Sequence, residues 1–142
     1  MQRSGMKRLV LVIALLVAVG GCTPGNKVHV SGTGAPKAGE PSASATAQPA
    51  ADGVQQIVLD AVDGEHFKPD VVFAHPGELR VTITNQSVIP HDFEVPSLNV
   101  KSETIFAGKS TTVTLNLSAT GVYDFVCGFH EHDGMTGQLI VS

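Results

Sequence analysis

From the middle of the chain to its end, apolar and polar side chains alternate with a period of two. In ELRVTITN, Leu79, Val81 and Ile83 alternate with Arg80, Thr82 and Thr84. In TTVTLNL, Val113, Leu115 and Leu117 alternate with Thr112, Thr114 and Asn116. That period, in stretches rich in Val and Thr, predicts half-buried antiparallel strands. Further strands are expected at Val54–Asp60, Val71–Ala74, Asp92–Val95, Thr104–Phe106, Gly121–Cys127 and Gly137–Val141, with breaks at Pro69, Pro76–Gly77, Pro90, Pro96 and Gly108. Eight short strands in about ninety residues, with no amphipathic helix of useful length, predict an all-β Greek-key β-sandwich or small barrel. A core of that size can stand without a disulfide.

The phase of the last two strands has a chemical consequence. Tyr123, Phe125 and Cys127 share one face, so the thiol continues an aromatic line pointing into the sandwich. Counting back from Val141 through Leu139 and Gly137 brings Met135 to the inward face as well. Cys127 and Met135 therefore flank the loop GFHEHDG, which is expected to close over one end of the core.

The alternating pattern stops before residue 54. Thr23 to Asp52 is dominated by Gly, Ala, Ser and Pro and offers almost nothing large and apolar to bury, which predicts a disordered tether. His29 within it is expected to be solvated. Ahead of the tether, Arg3, Lys7 and Arg8 precede an apolar run from Leu9 to Val19. At about eleven residues the run is too short to span a bilayer and right for a signal-peptide core. It ends in VGGC, which resembles the lipobox of bacterial lipoproteins. The resemblance implies that residues 1–21 are a removed signal and that Cys22 is lipidated, with an ordinary cleavage near Gly20 or an uncleaved anchor as alternatives. The expected organisation is therefore a signal peptide (1–21), a lipidated cysteine and disordered linker (22–53), and one domain (54–142). Its expected location is the extracytoplasmic face of the cell membrane.

Composition then narrows the chemistry. The chain has 142 residues and two cysteines, Cys22 and Cys127. If Cys22 carries lipid, Cys127 has no partner in an oxidising compartment and is either buried or committed to a metal. All thirteen acidic residues follow Cys22, where only six of the nine basic ones lie, so the processed chain has a net charge of −7. That disfavours nucleic acid as a partner.

VCGFHEHDGM, residues 126–135, places a thiol, two imidazoles and a thioether close together. Thiolate and two imidazoles with a weak axial thioether form the ligand set of a blue-copper electron-transfer centre. One imidazole must come from elsewhere, and IPHDFEV offers His91 at the start of a strand. Taken singly, each residue has a plainer explanation: Cys127 and Met135 as core filler, His91 as a strand-edge histidine. Zinc is the rival metal, but it prefers a closed tetrahedral set without thioether.

Residues 54–142 resemble a cupredoxin, the small blue-copper family. HFKPDVVFAHPGELRVTITNQSVIPHDFEV is similar to its N-terminal half, and GVYDFVCGFHEHDGMTGQLIV to its C-terminal ligand loop and last strand. The resemblance implies His91, Cys127 and Met135 as copper ligands. Cys127 to His130 to Met135 reads C-x2-H-x4-M, the plastocyanin and pseudoazurin spacing, which favours His130 as the second imidazole. His132 is the alternative, through C-x4-H-x2-M. The family commonly has Asn after the first histidine, tying the two ligand loops together. Here Asp92 takes that place, which leaves the tie open.

Two more histidines have expected positions. His75 precedes a strand that runs toward His91, so it should be a surface turn residue at the far end. His66 and Phe67 precede a strand leaving the metal end, which puts them near the ligand loop, on a surface a partner could touch. The expected function is a membrane-tethered, monomeric, mononuclear copper protein passing single electrons between a redox donor and an acceptor. Copper storage or delivery, and a copper-free binding module, are the other classes. An enzyme is not expected, because four protein ligands leave no position for substrate and no nucleophile-and-base pair stands out.

Overall fold

The computed structural model describes residues 43–142. Eleven strands form two facing sheets: β1 (Ser44–Thr46), β2 (Gln48–Pro49), β3 (Gln55–Val62), β4 (His66–Lys68), β5 (Val71–Ala74), β6 (Gly77–Asn85), β7 (Glu94–Val95), β8 (Val100–Lys101), β9 (Ser110–Leu117), β10 (Gly121–Val126) and β11 (Thr136–Val141). One sheet has the order β1-β5-β11-β10-β7-β8 and the other β2-β3-β6-β9, with β4 paired to β3. The all-β sandwich expected from the period-two pattern is present.

That pattern reports which face a side chain takes, not which way a neighbouring strand runs. β6 pairs antiparallel with β9 and β10 with β11, as expected, but β3 pairs parallel with β6 and β5 parallel with β11. The inward phase is as read. Leu79, Val81 and Ile83 of β6 and Leu115 and Leu117 of β9 face Leu139 and Val141 of β11 across a closed core. Phe67, Phe93 and Phe125 fill its middle, with ring centroids 5.3–5.9 Å apart.

Eleven strands stand where eight were expected, with β1, β2, β4 and β8 the additions, and several boundaries differ. Residues 44–49, assigned to the linker, pair with the domain. β1 lies parallel to β5, β2 lies antiparallel to β3, and Ala47 between them is buried. Strands this short, built from Ser, Ala, Thr and Gln, bury one small side chain and leave no hydrophobic period to read. The strand expected over Thr104–Phe106 is reduced to a single bridge, in which His91 and Ile105 exchange both backbone hydrogen bonds at 3.1 and 2.7 Å. Similarly, Asp92–Val95 contracts to Glu94–Val95, because the Asp92 and Phe93 N–H groups go to Cys127 Sγ and Ser102 Oγ rather than to a neighbouring strand's backbone. The expected signal peptide (1–21), Cys22 and His29 lie outside the described residues.

β6 and β3 run in parallel toward one end of the sandwich, where β10 also finishes and β11 begins. The loops that follow β3, β6 and β10 therefore meet there. His75 lies at the opposite end, exposed, with its Nδ1 2.7 Å from the carbonyl oxygen of Ser142.

Candidate metal centre

His91 follows the turn that leaves β6, and its bridge to Ile105 pins its backbone on both sides. Cys127 is the first residue past β10, in the inward phase that Phe125 sets, and is fully buried. The chain after it turns tightly. The N–H of His130 donates to the Cys127 carbonyl at 3.0 Å, and a short 3-10 turn covers Glu131–Asp133. Gly134 closes that turn at φ 96°, a left-handed conformation that a side chain would strain. Met135 then returns to the core, its N–H on the His130 carbonyl and its carbonyl on the Cys127 N–H, each at 3.0 Å. Met135 is fully buried, as its phase predicted.

These turns bring three ligand atoms together. Cys127 Sγ lies 3.7 Å from His91 Nδ1 and 3.5 Å from His130 Nδ1, and all three atoms fall within 4.8 Å of one another. Metal–thiolate and metal–imidazole bonds of about 2.3 and 2.0 Å at a trigonal angle separate sulfur from nitrogen by about 3.7 Å. The triangle therefore has the dimensions of a three-ligand metal site. Of the two loop histidines, His130 joins this triangle, whereas the His132 side chain is 96% exposed beside Glu131. His130 is half-buried against the His91 ring, centroids 4.9 Å apart.

A chain of polar groups below His91 carries no signal in the ligand motif. Ser87 Oγ lies 2.8 Å from His91 Nε2 and 2.9 Å from Asn85 Oδ1. Asn85 also accepts the Ser87 N–H at 2.8 Å, and its amide donates to the carbonyls of Ile89 and Ile105 at 2.7 and 2.8 Å. With Asn85 Oδ1 accepting the serine hydroxyl, Ser87 Oγ is free to accept from His91 Nε2–H. That places the imidazole proton on Nε2 and leaves the Nδ1 lone pair facing Cys127. The visible clue is an Asn-x-Ser turn ending four residues before the histidine.

The open question at Asp92 is answered as well. Its Oδ1 accepts the Gly128 N–H at 2.6 Å, and its own N–H points at Cys127 Sγ at 3.4 Å. The carboxylate thus ties the two ligand loops together, and Lys101 meets its second oxygen at 3.2 Å. Lys101 also pairs with Glu94. Glu94 first, and Asp92 after it, hold the Lys101 ammonium above its usual range.

Burial acts on both inner ligands. It pushes the Cys127 thiol up, against the opposing pull of the Asp92 and Phe129 N–H groups, and it holds His91 low, assisted by the neighbouring His130. Both shifts favour the uncharged forms of His91 and Cys127 when no metal is bound, so binding a cation as thiolate would release the Cys127 proton. His66 is half-exposed on the strand that follows the Asp63–Glu65 turn, and both of those acids exert their charge on His91. Phe67 departs from expectation: it is core, edge-on to Phe93 and Phe125, and offers no partner surface.

Residues 41–141 match the family described as cupredoxin-like domain. The chain belongs to that family. Its cupredoxin-like domain is 27% identical over 99 residues to plastocyanin B'/B'' of Nicotiana tabacum, which covers 61% of this chain and 99% of the plant protein. Among solved structures it is similar to the metal-binding domain, with Cu(I), of a copper(I)-exporting P-type ATPase from Streptococcus pneumoniae. The TM-score is 0.61 at 15% identity, covering 72% of this chain and 99% of the other. It is also similar to dithionite-reduced auracyanin from Roseiflexus castenholzii, with TM-score 0.55 at 19% identity, covering 61% and 96%. These two likenesses bear on the cupredoxin fold alone.

Proposed function

We propose that this protein is a mononuclear copper-binding electron carrier in which His91, Cys127, His130 and Met135 hold one copper ion. The observation that carries the reading is the Cys127 Sγ–His91 Nδ1–His130 Nδ1 triangle, whose sulfur–nitrogen edges of 3.7 and 3.5 Å suit a trigonal metal site. The donor set points the same way. Thiolate and thioether favour the cuprous state, imidazole accepts both oxidation states, and copper held between them supplies a reversible one-electron couple.

The protein's own part is to keep the ligands still. The Asn85–Ser87 chain fixes His91, the Asp92–Gly128 bond fixes the cysteine loop, and the buried positions of Cys127 and Met135 exclude water. Four protein ligands leave no position for a substrate, so the chemistry is electron transfer without bond making. His130 is the proposed exit, since it is the half-exposed imidazole and lies beside Phe129, which is 53% exposed. The relatives named plastocyanin support this reading.

The same donor set would also serve copper storage or delivery, which is the second reading. A copper-free binding module is the third. One experiment separates them: the purified protein is given one equivalent of cupric salt, then followed by visible and paramagnetic-resonance spectroscopy through reduction and reoxidation. An intense thiolate-to-copper band that cycles reversibly while the ion stays bound supports electron transfer. Rapid loss of copper to a soluble chelator in either state supports delivery, and failure to bind stoichiometric copper removes both.

The cellular setting extends the proposal. Cys22 carries lipid, the segment after it tethers the domain at the extracytoplasmic membrane face, and a monomeric carrier moves between a donor and an acceptor redox protein. Release of the Cys22→Ser protein from membranes, with the parent protein retained there, is the expected result.

A further inference from the structure

Behind the cysteine loop lies a group of charges that the ligand set does not use. Asp92 is 2% exposed in its side chain, yet it sits one residue from His91 and directs its backbone N–H at Cys127 Sγ. Glu94 packs over Gly128, so closely that a methyl group added there would overlap its carboxylate. Lys101 reaches both acids from β8, brought opposite Glu94 by the β7–β8 pairing. Two carboxylates beside a thiolate repel an added electron, and one ammonium offsets part of that repulsion.

We infer that Lys101 is a potential-setting counter-charge, which holds the site's preference for the reduced ion against the fields of Asp92 and Glu94. The inference rests on the copper reading above and concerns residues that touch no metal. Its sign follows from electrostatics: reduction adds one negative charge, so loss of a nearby cation disfavours the reduced state. Lys101 is 61% exposed, so its effect is screened by water. For a partly screened unit charge, the shift in the reduced-to-oxidised ratio at fixed ambient potential is on the order of threefold. At 59 mV per tenfold for a one-electron couple, that is about 28 mV.

The test is a redox titration of the copper-loaded full-length protein and of Lys101→Met, Lys101→Arg, Asp92→Asn and the Asp92→Asn/Lys101→Met double variant. Met keeps most of the aliphatic stem and removes the charge, while Arg keeps the charge. The expected results are a lower potential for Lys101→Met, a parental value for Lys101→Arg and a higher value for Asp92→Asn. The double variant should lie between the two single variants, because the two lost fields act on the couple with opposite sign and superpose, while the Glu94 carboxylate remains beside residue 101. Raising the ionic strength should narrow the gap between the parent and Lys101→Met, which a purely structural effect would not do. Equal potentials for the parent and Lys101→Met, with the thiolate-to-copper band intact in both, overturn the inference alone. Absence of that band from the parent protein overturns the copper reading on which the inference rests.

Discussion

Replacing Ser87 with alanine removes one oxygen atom and tests whether the chain beneath His91 positions a ligand. Ser87 Oγ is the group within hydrogen-bond distance of His91 Nε2, at 2.8 Å, and both residues are buried. In the Ser87→Ala protein Asn85 Oδ1 keeps the residue-87 N–H, so the turn itself survives. The loss then falls on His91, whose Nε2–H is left in the core without an acceptor. A buried donor stripped of its partner costs about 1–3 kcal/mol. The imidazole can escape that cost by moving its proton to Nδ1, but that nitrogen then no longer offers a lone pair to a metal. Copper affinity should accordingly fall about 10- to 100-fold, the range typical when a histidine ligand loses its hydrogen-bond partner. Competition against a chelator of known affinity measures this, with Ser87→Thr as the variant that keeps the hydroxyl. Unchanged affinity in Ser87→Ala, or equal losses in Ser87→Ala and Ser87→Thr, would refute the reasoning.

Three further outcomes are expected. His130→Ala should abolish the thiolate-to-copper absorption band and His132→Ala should retain it, because His130 Nδ1 lies 3.5 Å from the sulfur whereas His132 is exposed to solvent. Since burial depresses the folded-state pKa of His91, the unfolded chain takes up that proton first. Metal-free stability should therefore drop as the pH falls below about 6.5, the usual histidine value. Urea denaturation between pH 7.5 and pH 5 checks this, and a flat midpoint would contradict it. Gly137→Ala should destabilise the domain by about 1–3 kcal/mol, because the added methyl would overlap the Phe125 ring and the Asp70 carbonyl. A denaturation midpoint equal to the parent's would show that the sandwich yields there at no cost.

Much of the site was legible because ligand spacing and strand phase are both local properties. Cys127 and Met135 could be placed on the inward face by counting in steps of two from Phe125 and Val141, and both are buried. The preference for His130, with His132 kept as the alternative, followed from the short gap between His132 and Met135, where a 3-10 turn is found. The supporting groups were not legible. Ser87 sits in an ordinary polar turn and gains meaning only when the fold returns His91 beneath it. Lys101 is distant from the ligand loop in sequence and meets Asp92 through the β7–β8 pairing. The strands β1, β2, β4 and β8 each run two or three residues, too few for a period to register. Parallel pairing was hidden for a different reason: an alternating strand is compatible with either neighbour direction, and only the connections decide.

The direction of β1 bears on how the domain hangs from whatever precedes it. β1 runs parallel to β5, which leads away from the ligand loop, and the Ala43 carbonyl receives the N–H groups of Asp70 and Val71. The backbone thus joins the fold on the flank of the same pole that carries His130, while Ser142 finishes at the opposite pole beside His75. On the proposed reading, a tether attached there would join the domain at the pole that carries the proposed electron port at His130. A reporter fused after Ser142 leaves that port clear, whereas bulk grafted just before Ala43 would crowd it.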